Sequence, residues 1–299
     1  MVSNEKLPHI QYLYDYKGIK EFINDIDFLA RLFDPISLTD LIEKSKRGSK
    51  IKSNLFLLTF DDGYKEMYTI VAPILRRKGI PAVFFLNTDF IDNKDLSYIN
   101  KASLIINILK KKPELVKQFN RVFDCLKNLS EEEVFKKILS IGYRRRSLLD
   151  QMAKVADVDF NEFLKTYQPY LNRSQIISMI NDGFYFGAHS KDHPHYSEIS
   201  LEEQIDQTLE SLKIIKNEFN LIYSVFAFPF GAEGVSLEFF QCIMNKVDLT
   251  FSTSYCLNNN LAWNLRRINF ERSLLPAKMI VSRYMAKDLV YSIFQGSKK

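Results

Sequence analysis

The apolar run of residues 55–58, Leu-Phe-Leu-Leu, ends in Thr59-Phe60-Asp61-Asp62-Gly63, and this junction constrains the fold more than any other feature of the chain. A run that short and that apolar fits a buried strand. Strand side chains alternate between faces, but where a strand breaks into a glycine turn both carboxylates can enter one cleft. One can then ligate a metal ion while its neighbour takes a proton from an attacking water. Asp-Asp-Gly is also an ordinary turn signal, so the reading needs a second half.

That half lies in His189-Ser190-Lys191-Asp192-His193-Pro194. Residues 183–188, Gly-Phe-Tyr-Phe-Gly-Ala, read as a short buried strand, and His189 opens the loop after it. Two histidines four apart on a loop closed by Pro194 can turn both imidazoles toward one ion. With Asp62 they make three ligands and leave a position open, the pattern of catalytic rather than structural metal sites. Both segments fall at the C-terminal ends of predicted strands, where α/β barrels place their chemistry.

The two motifs resemble those of carbohydrate esterase family four, the polysaccharide deacetylases with a NodB-homology domain. Thr59 to Gly63 and His189 to Pro194 stand complete, and Ala227-Phe228-Pro229-Phe230-Gly231 looks like a variant of the family's third motif. The resemblance covers about residues 9–91 and 172–270. It implies an α/β fold, a distorted (β/α) barrel of about seven strands. It also implies a metal-dependent hydrolase that removes an acetyl group from an N-acetylated sugar in a polysaccharide or its precursor. By the same resemblance Asp61 is the general base, Asp62, His189 and His193 hold one divalent ion, and the Phe230 N–H binds the oxyanion. An Asp and two His suit Zn²⁺ first, although Co²⁺, Ni²⁺, Mn²⁺ and Fe²⁺ accept the same donors.

The sequence also departs from the pattern. Ala227 stands where many relatives carry an arginine that orients the base, so an arginine from elsewhere does that work or Asp61 is less constrained. Arg266 and Arg267 are the candidates, and the plainer reading, a solvated basic pair, fits Arg266 somewhat better. No histidine follows His195, so the family's late general acid is absent. Of the four histidines, His195 reads as a loop residue, and His9 is left as the acid, carried on an N-terminal strand as in a subgroup with rearranged motifs. Trp263 reads as core or as a platform for a sugar ring.

Strand and helix alternate along the rest of the chain, which means a parallel sheet. Helices are expected from Ile19 to Leu32, from Tyr64 to Lys78, after Asn172, after the capping box Ser200-Leu201-Glu202-Glu203, and from Val235 to Asn245. Strands are expected at residues 82–86, 223–228 and 249–252. Residues 92–171 turn helical in period, so the barrel is assigned to residues 1–91 and 172–299, with 92–171 as a helical insertion beside its mouth. Lys and Arg outnumber Asp and Glu there by 15 to 11, which supplies most of the chain's net charge of +5. That excess would attract phosphate or uronate groups on a carrier or polymer substrate, including a lipid-linked one at a membrane surface; an oligomerisation or purely structural element is the equal alternative. Its interleaved Glu131-Glu132-Glu133 argues against nucleic acid.

Cys125, Cys242 and Cys256 are widely spaced, which suggests buried thiols in a reducing compartment and no disulfide framework. No apolar stretch opens the sequence and none reaches spanning length, so a cytoplasmic location without a transmembrane segment is expected. Two further readings stay open beside the N-deacetylase: O-deacetylation, and a glycan-binding pseudoenzyme of the same fold. A third, a scaffold with a basic arm, is weakened by the mixed charge of that arm.

Overall fold

A computed structural model describes residues 1–49, 54–253, 263–271 and 274–285. The chain enters through a helix, α1 (Ile19–Leu32), then β1 (Asp34–Pro35) and α2 (Leu38–Lys46). The first-motif run forms β2 (Leu55–Phe56) and β3 (Leu58–Phe60), interrupted only at Leu57. After it come α3 (Ala72–Lys78) and the wholly buried β4 (Ala82–Leu86). Five helices follow: α4 (Tyr98–Lys111), α5 (Glu114–Val122), α6 (Glu131–Leu139), α7 (Ser147–Ala156) and α8 (Phe160–Tyr167). The remainder alternates: α9 (Arg173–Asn181), β5 (Tyr185–Ala188), α10 (Leu201–Glu218), β6 (Val225–Ala227), α11 (Leu237–Ile243), β7 (Leu249–Ser252) and β8 (Asn264–Arg266).

The strands pair in parallel and in chain order, β3-β4-β5-β6-β7-β8, while β1 pairs with β2. Counting β2 and β3 as one interrupted strand gives, among the described residues, the seven expected. Sequential parallel order with helical crossovers puts every C-terminal strand end on one side. Two apolar layers sandwich the sheet. Phe84, Phe186 and Phe226 lie in the large cluster that also holds Ile105, Phe119 and Leu149, so the helices α4 to α7 share the barrel's core rather than building their own. Val83, Phe85, Val225 and Phe251 face the second cluster, with Ile36 and Leu41. Alternate residues of β4 thus serve opposite layers, as a strand's period of two requires.

Three expectations change. Residues 8–13 form turns, not a strand, with bonds such as Ile10 N–H to the Leu7 carbonyl. Leu7 and Ile10 are the buried apolar residues here, and their spacing of three fits turns better than a pleat. The helix expected from Tyr64 starts instead as a π-helical stretch (Met67–Val71) before α3. Pro73 lacks an N–H, and the widened turn before it accommodates the missing bond. Cys125 and Cys242 are exposed free thiols rather than buried ones, and Cys256 lies outside the described residues. No described helix is long and apolar enough to cross a membrane.

Candidate active site

Every polar group of the site stands just past a strand end. β3 delivers Asp61 and Asp62, β4 delivers Asn87, β5 delivers His189, β6 leads to Phe230, and β8 leads to Arg267. The backbone turns sharply here. Asp62, Ser190, His193 and Phe230 have φ of 71°, 70°, 63° and 59°, left-handed values that cost energy for residues other than glycine. Such values persist only where the surroundings over-determine them. Gly63, at φ 68°, packs so closely that a Cβ would come within 2.8 Å of Leu86 Cδ2.

His193 Nε2 lies 3.1 Å and His189 Nε2 3.5 Å from Asp62 Oδ1. These donor atoms all fall within 4.8 Å of one another. His189 Nδ1 is 2.7 Å from the Ala227 carbonyl oxygen. A carbonyl only accepts, so Nδ1 carries the proton and Nε2 turns a lone pair inward. Asp62 Oδ1 is buried and receives no hydrogen bond among the described residues. One carboxylate, two imidazoles and an orphaned acceptor fit a divalent metal ion.

Arg267 grips the other carboxylate. Its Nη1 donates to Asp61 Oδ1 at 2.7 Å and its Nη2 to Oδ2 at 2.8 Å, with a further bond from Nη1 to Thr59 Oγ1. Arg266 instead lies over the Tyr284 ring. The sequence left the choice between the two arginines, and the bidentate partner of Asp61 is Arg267. Burial raises the pKa of Asp61, but the Arg267 and His189 charges outweigh it and hold the carboxyl down to about 2. For Asp62, burial again opposes, and His193 and His189 hold it below the usual range. Burial lowers His189 despite the attraction of Asp61. Both carboxylates are therefore ionised, and burial favours the neutral imidazole at His189.

Phe230 sits on the rim, its ring edge-on to His193 at 4.6 Å and stacked on His195 at 5.0 Å. His195 is partly exposed and pairs through Nδ1 with Ser197 Oγ. Trp263 packs against Phe240 and both apolar layers, so it is core.

His9 does not join this group. Its ring is fully buried among Tyr64, Phe163 and Tyr167, and neither ring nitrogen has a hydrogen-bond partner among the described residues. The cause is the helical segment. Ser103 and Asn100 on α4 bond the Pro8 and His9 carbonyls, and α8 supplies Phe163 and Tyr167 as a lid over the ring. Burial, aided by Lys65, lowers the His9 pKa to about 3. A neutral, sealed imidazole cannot donate a proton at the mouth, which corrects the expectation that His9 is the acid. Of the basic residues in the helical segment, Arg144 bonds Glu203 and the Glu198 carbonyl, and Arg146 lies 3.7 Å from Asp192. The charge of these two is met within the protein.

Sequence reading passed over Asn87, which donates to the His189 carbonyl and to Ser190 Oγ. A lone Asn closing the apolar run Ala-Val-Phe-Phe-Leu was the available signal.

The polysaccharide deacetylase family profile matches residues 49–140 and 146–246. Over 52 residues the chain is 38% identical to the poly-β-1,6-N-acetyl-D-glucosamine N-deacetylase of Escherichia coli K12. That stretch is 17% of this chain and only 8% of the curated relative's length. Among solved structures, the Streptococcus pyogenes deacetylase PplD in complex with acetate superposes with a TM-score of 0.58 at 13% identity, covering 93% of this chain and 92% of that one. IcaB from Ammonifex degensii gives 0.52 at 14% identity, over 84% and 83%. At those identities the structures share the fold.

Proposed function

We propose, for a chain that belongs to the polysaccharide deacetylase family, that it hydrolyses the N-acetyl group of an amino sugar in a polysaccharide or its precursor with the help of one divalent ion, Zn²⁺ by preference. The observation that carries this reading is the division between neighbours: Arg267 holds Asp61 by both oxygens, while Asp62 converges with His189 and His193. The N-deacetylase named among the relatives supports the N-acetylated substrate class.

Asp62, His189 and His193 would hold the ion, which would polarise the acyl carbonyl and lower the pKa of the attacking water to about 7. Asp61 takes a proton from that water as the water oxygen bonds the acyl carbon. Its low pKa makes it a weak base but a strong acid once protonated, so it can return the same proton to the leaving nitrogen, after which the C–N bond breaks. One carboxylate thereby serves both steps in a site where His9 is sealed away. Arg267 fixes the orientation of the carboxylate through both steps. The oxyanion is offered the Phe230 N–H, whose left-handed turn sets it at the rim beside His193.

Acetate release from N-acetylated oligosaccharides, assayed with metal-stripped protein before and after Zn²⁺ is restored, tests the reading. Release that depends on the ion supports it. Release unaffected by stripping, or none with any divalent ion, contradicts it.

A further inference from the structure

The loop from His189 to His193 carries two of the three ligands and two left-handed residues, so something must hold it. Inside the barrel, Asn87 bonds the His189 carbonyl and Ser190 Oγ, and Ser190 Oγ accepts the His193 N–H at 3.1 Å. Gln207 on α10 brackets the middle of the loop, accepting from Lys191 N–H at 2.9 Å and donating to Asp192 Oδ1 at 2.8 Å.

The Thr88 and Asp89 N–H groups, just past β4, bond the Ser190 and Lys191 carbonyls at 3.3 and 3.1 Å. Further contacts come from the helical segment. The Tyr143 hydroxyl reaches both Asp192 oxygens, at 2.9 and 2.8 Å. The Arg146 guanidinium covers the Tyr143 ring at 3.9 Å and faces Asp192. The Tyr143 N–H bonds Glu198 Oε2 at 2.8 Å, and Gly142 packs so tightly that a Cβ would meet the Glu198 carboxylate at 2.7 Å. Residues 142–146 thus lie across residues 192–203 at three points.

We propose that residues 142–146 are a clasp on the ligand loop, with Tyr143 and Asp192 as positioning residues that fix where His193 presents its imidazole. Asp192 directly precedes His193, whose φ of 63° needs external support. A hydroxyl donating to a carboxylate is a strong hydrogen bond with one defined direction, and it ties that residue to a helical segment rooted in the barrel core. Groups bonded directly to ligating side chains alter metal affinity by about 10- to 100-fold when removed, and Tyr143 acts one residue further out, so about tenfold is expected. The affinity consequence rests on the metal reading above; the clasp itself does not.

The test is Tyr143→Phe in the full chain, which keeps the ring and removes only the hydroxyl. Amide hydrogen exchange in metal-free protein should rise about tenfold across residues 189–193 and stay unchanged in α10, which reports that the fold is intact. Zn²⁺ affinity, read by competition with a chelating dye, should weaken about tenfold. Asp192→Asn, which retains an acceptor, should fall between wild type and Asp192→Ala on both readouts. Unchanged loop exchange in Tyr143→Phe overturns the clasp. Faster exchange with unaltered Zn²⁺ affinity overturns the positioning role. Faster exchange in a protein whose wild type binds no divalent ion leaves the clasp standing and defeats the metal reading alone.

Discussion

Arg267 holds Asp61 through two parallel hydrogen bonds of 2.7 and 2.8 Å, joining the residue after β8 to the residue after β3. These strands are the two edges of the six-stranded sheet. One ion pair therefore both orients a carboxylate and ties the sheet's edges together at the mouth. The guanidinium is mostly buried, and its planar fork matches the carboxylate in a way a lysine cannot.

Arg267→Lys should accordingly keep the charge but lose the orientation. Turnover should fall about 10- to 100-fold, on the order of 1.4–2.7 kcal/mol of transition-state stabilisation, with metal stoichiometry unchanged. Steady-state kinetics beside a metal titration checks this. A Lys variant with wild-type turnover would show that Asp61 needs no bidentate partner.

His9 carries a second prediction, in acid stability. Its folded pKa of about 3 lies below the 6.5 of an unfolded histidine. Between those values the unfolded chain binds more protons, so the contribution of His9 is intact above pH 6.5 and is lost as pH falls toward 3. The full loss is about 4–5 kcal/mol, from about 1.4 kcal/mol per pH unit. His9→Phe keeps a ring in the aromatic pocket and removes two unpartnered nitrogens. Urea midpoints at pH 7 and pH 4.5 should lie closer together in the variant, and acetate release should persist. Loss of activity with the fold intact would return His9 to catalysis.

Arg144, in the basic helical segment, makes a third prediction. Arg144→Glu faces Glu203 and should lower the thermal midpoint. It should leave the ratio of KM for uronate-bearing and neutral substrates unchanged, because the charge is already paired. A selective rise in KM for the anionic substrate would restore a recognition role.

How far the sequence could be read depends on how local each cause is. The bounds of α1, β4 and β7 fell where apolar period and flanking turns placed them, because those signals lie within the segments themselves. Asp62, His189 and His193 were legible because each motif is a strand end fused to a turn, and Gly63 and Pro194 mark those turns. Asp61 was legible only through its neighbour. The fate of His9 was not, since a roof from residues 64, 163 and 167 decides whether its imidazole is wet. Arg267 could be narrowed to a pair, but which arginine points inward depends on the register of β8 against β7. Tyr143 and Asp192 meet across 49 residues, and nothing in either local pattern announces the other.

Two adjacent carboxylates are assigned different work, and parallel Zn²⁺ titration and acetate assay of Asp61→Asn and Asp62→Asn tests that division most directly. Asp61→Asn should bind one equivalent of Zn²⁺ and release acetate about 10²- to 10⁴-fold more slowly, the usual scale for a lost general base. Asp62→Asn should lose most of its Zn²⁺ affinity as well as its activity. Near-wild-type acetate release from Asp61→Asn, or stoichiometric Zn²⁺ binding of wild-type strength by Asp62→Asn, would contradict the division.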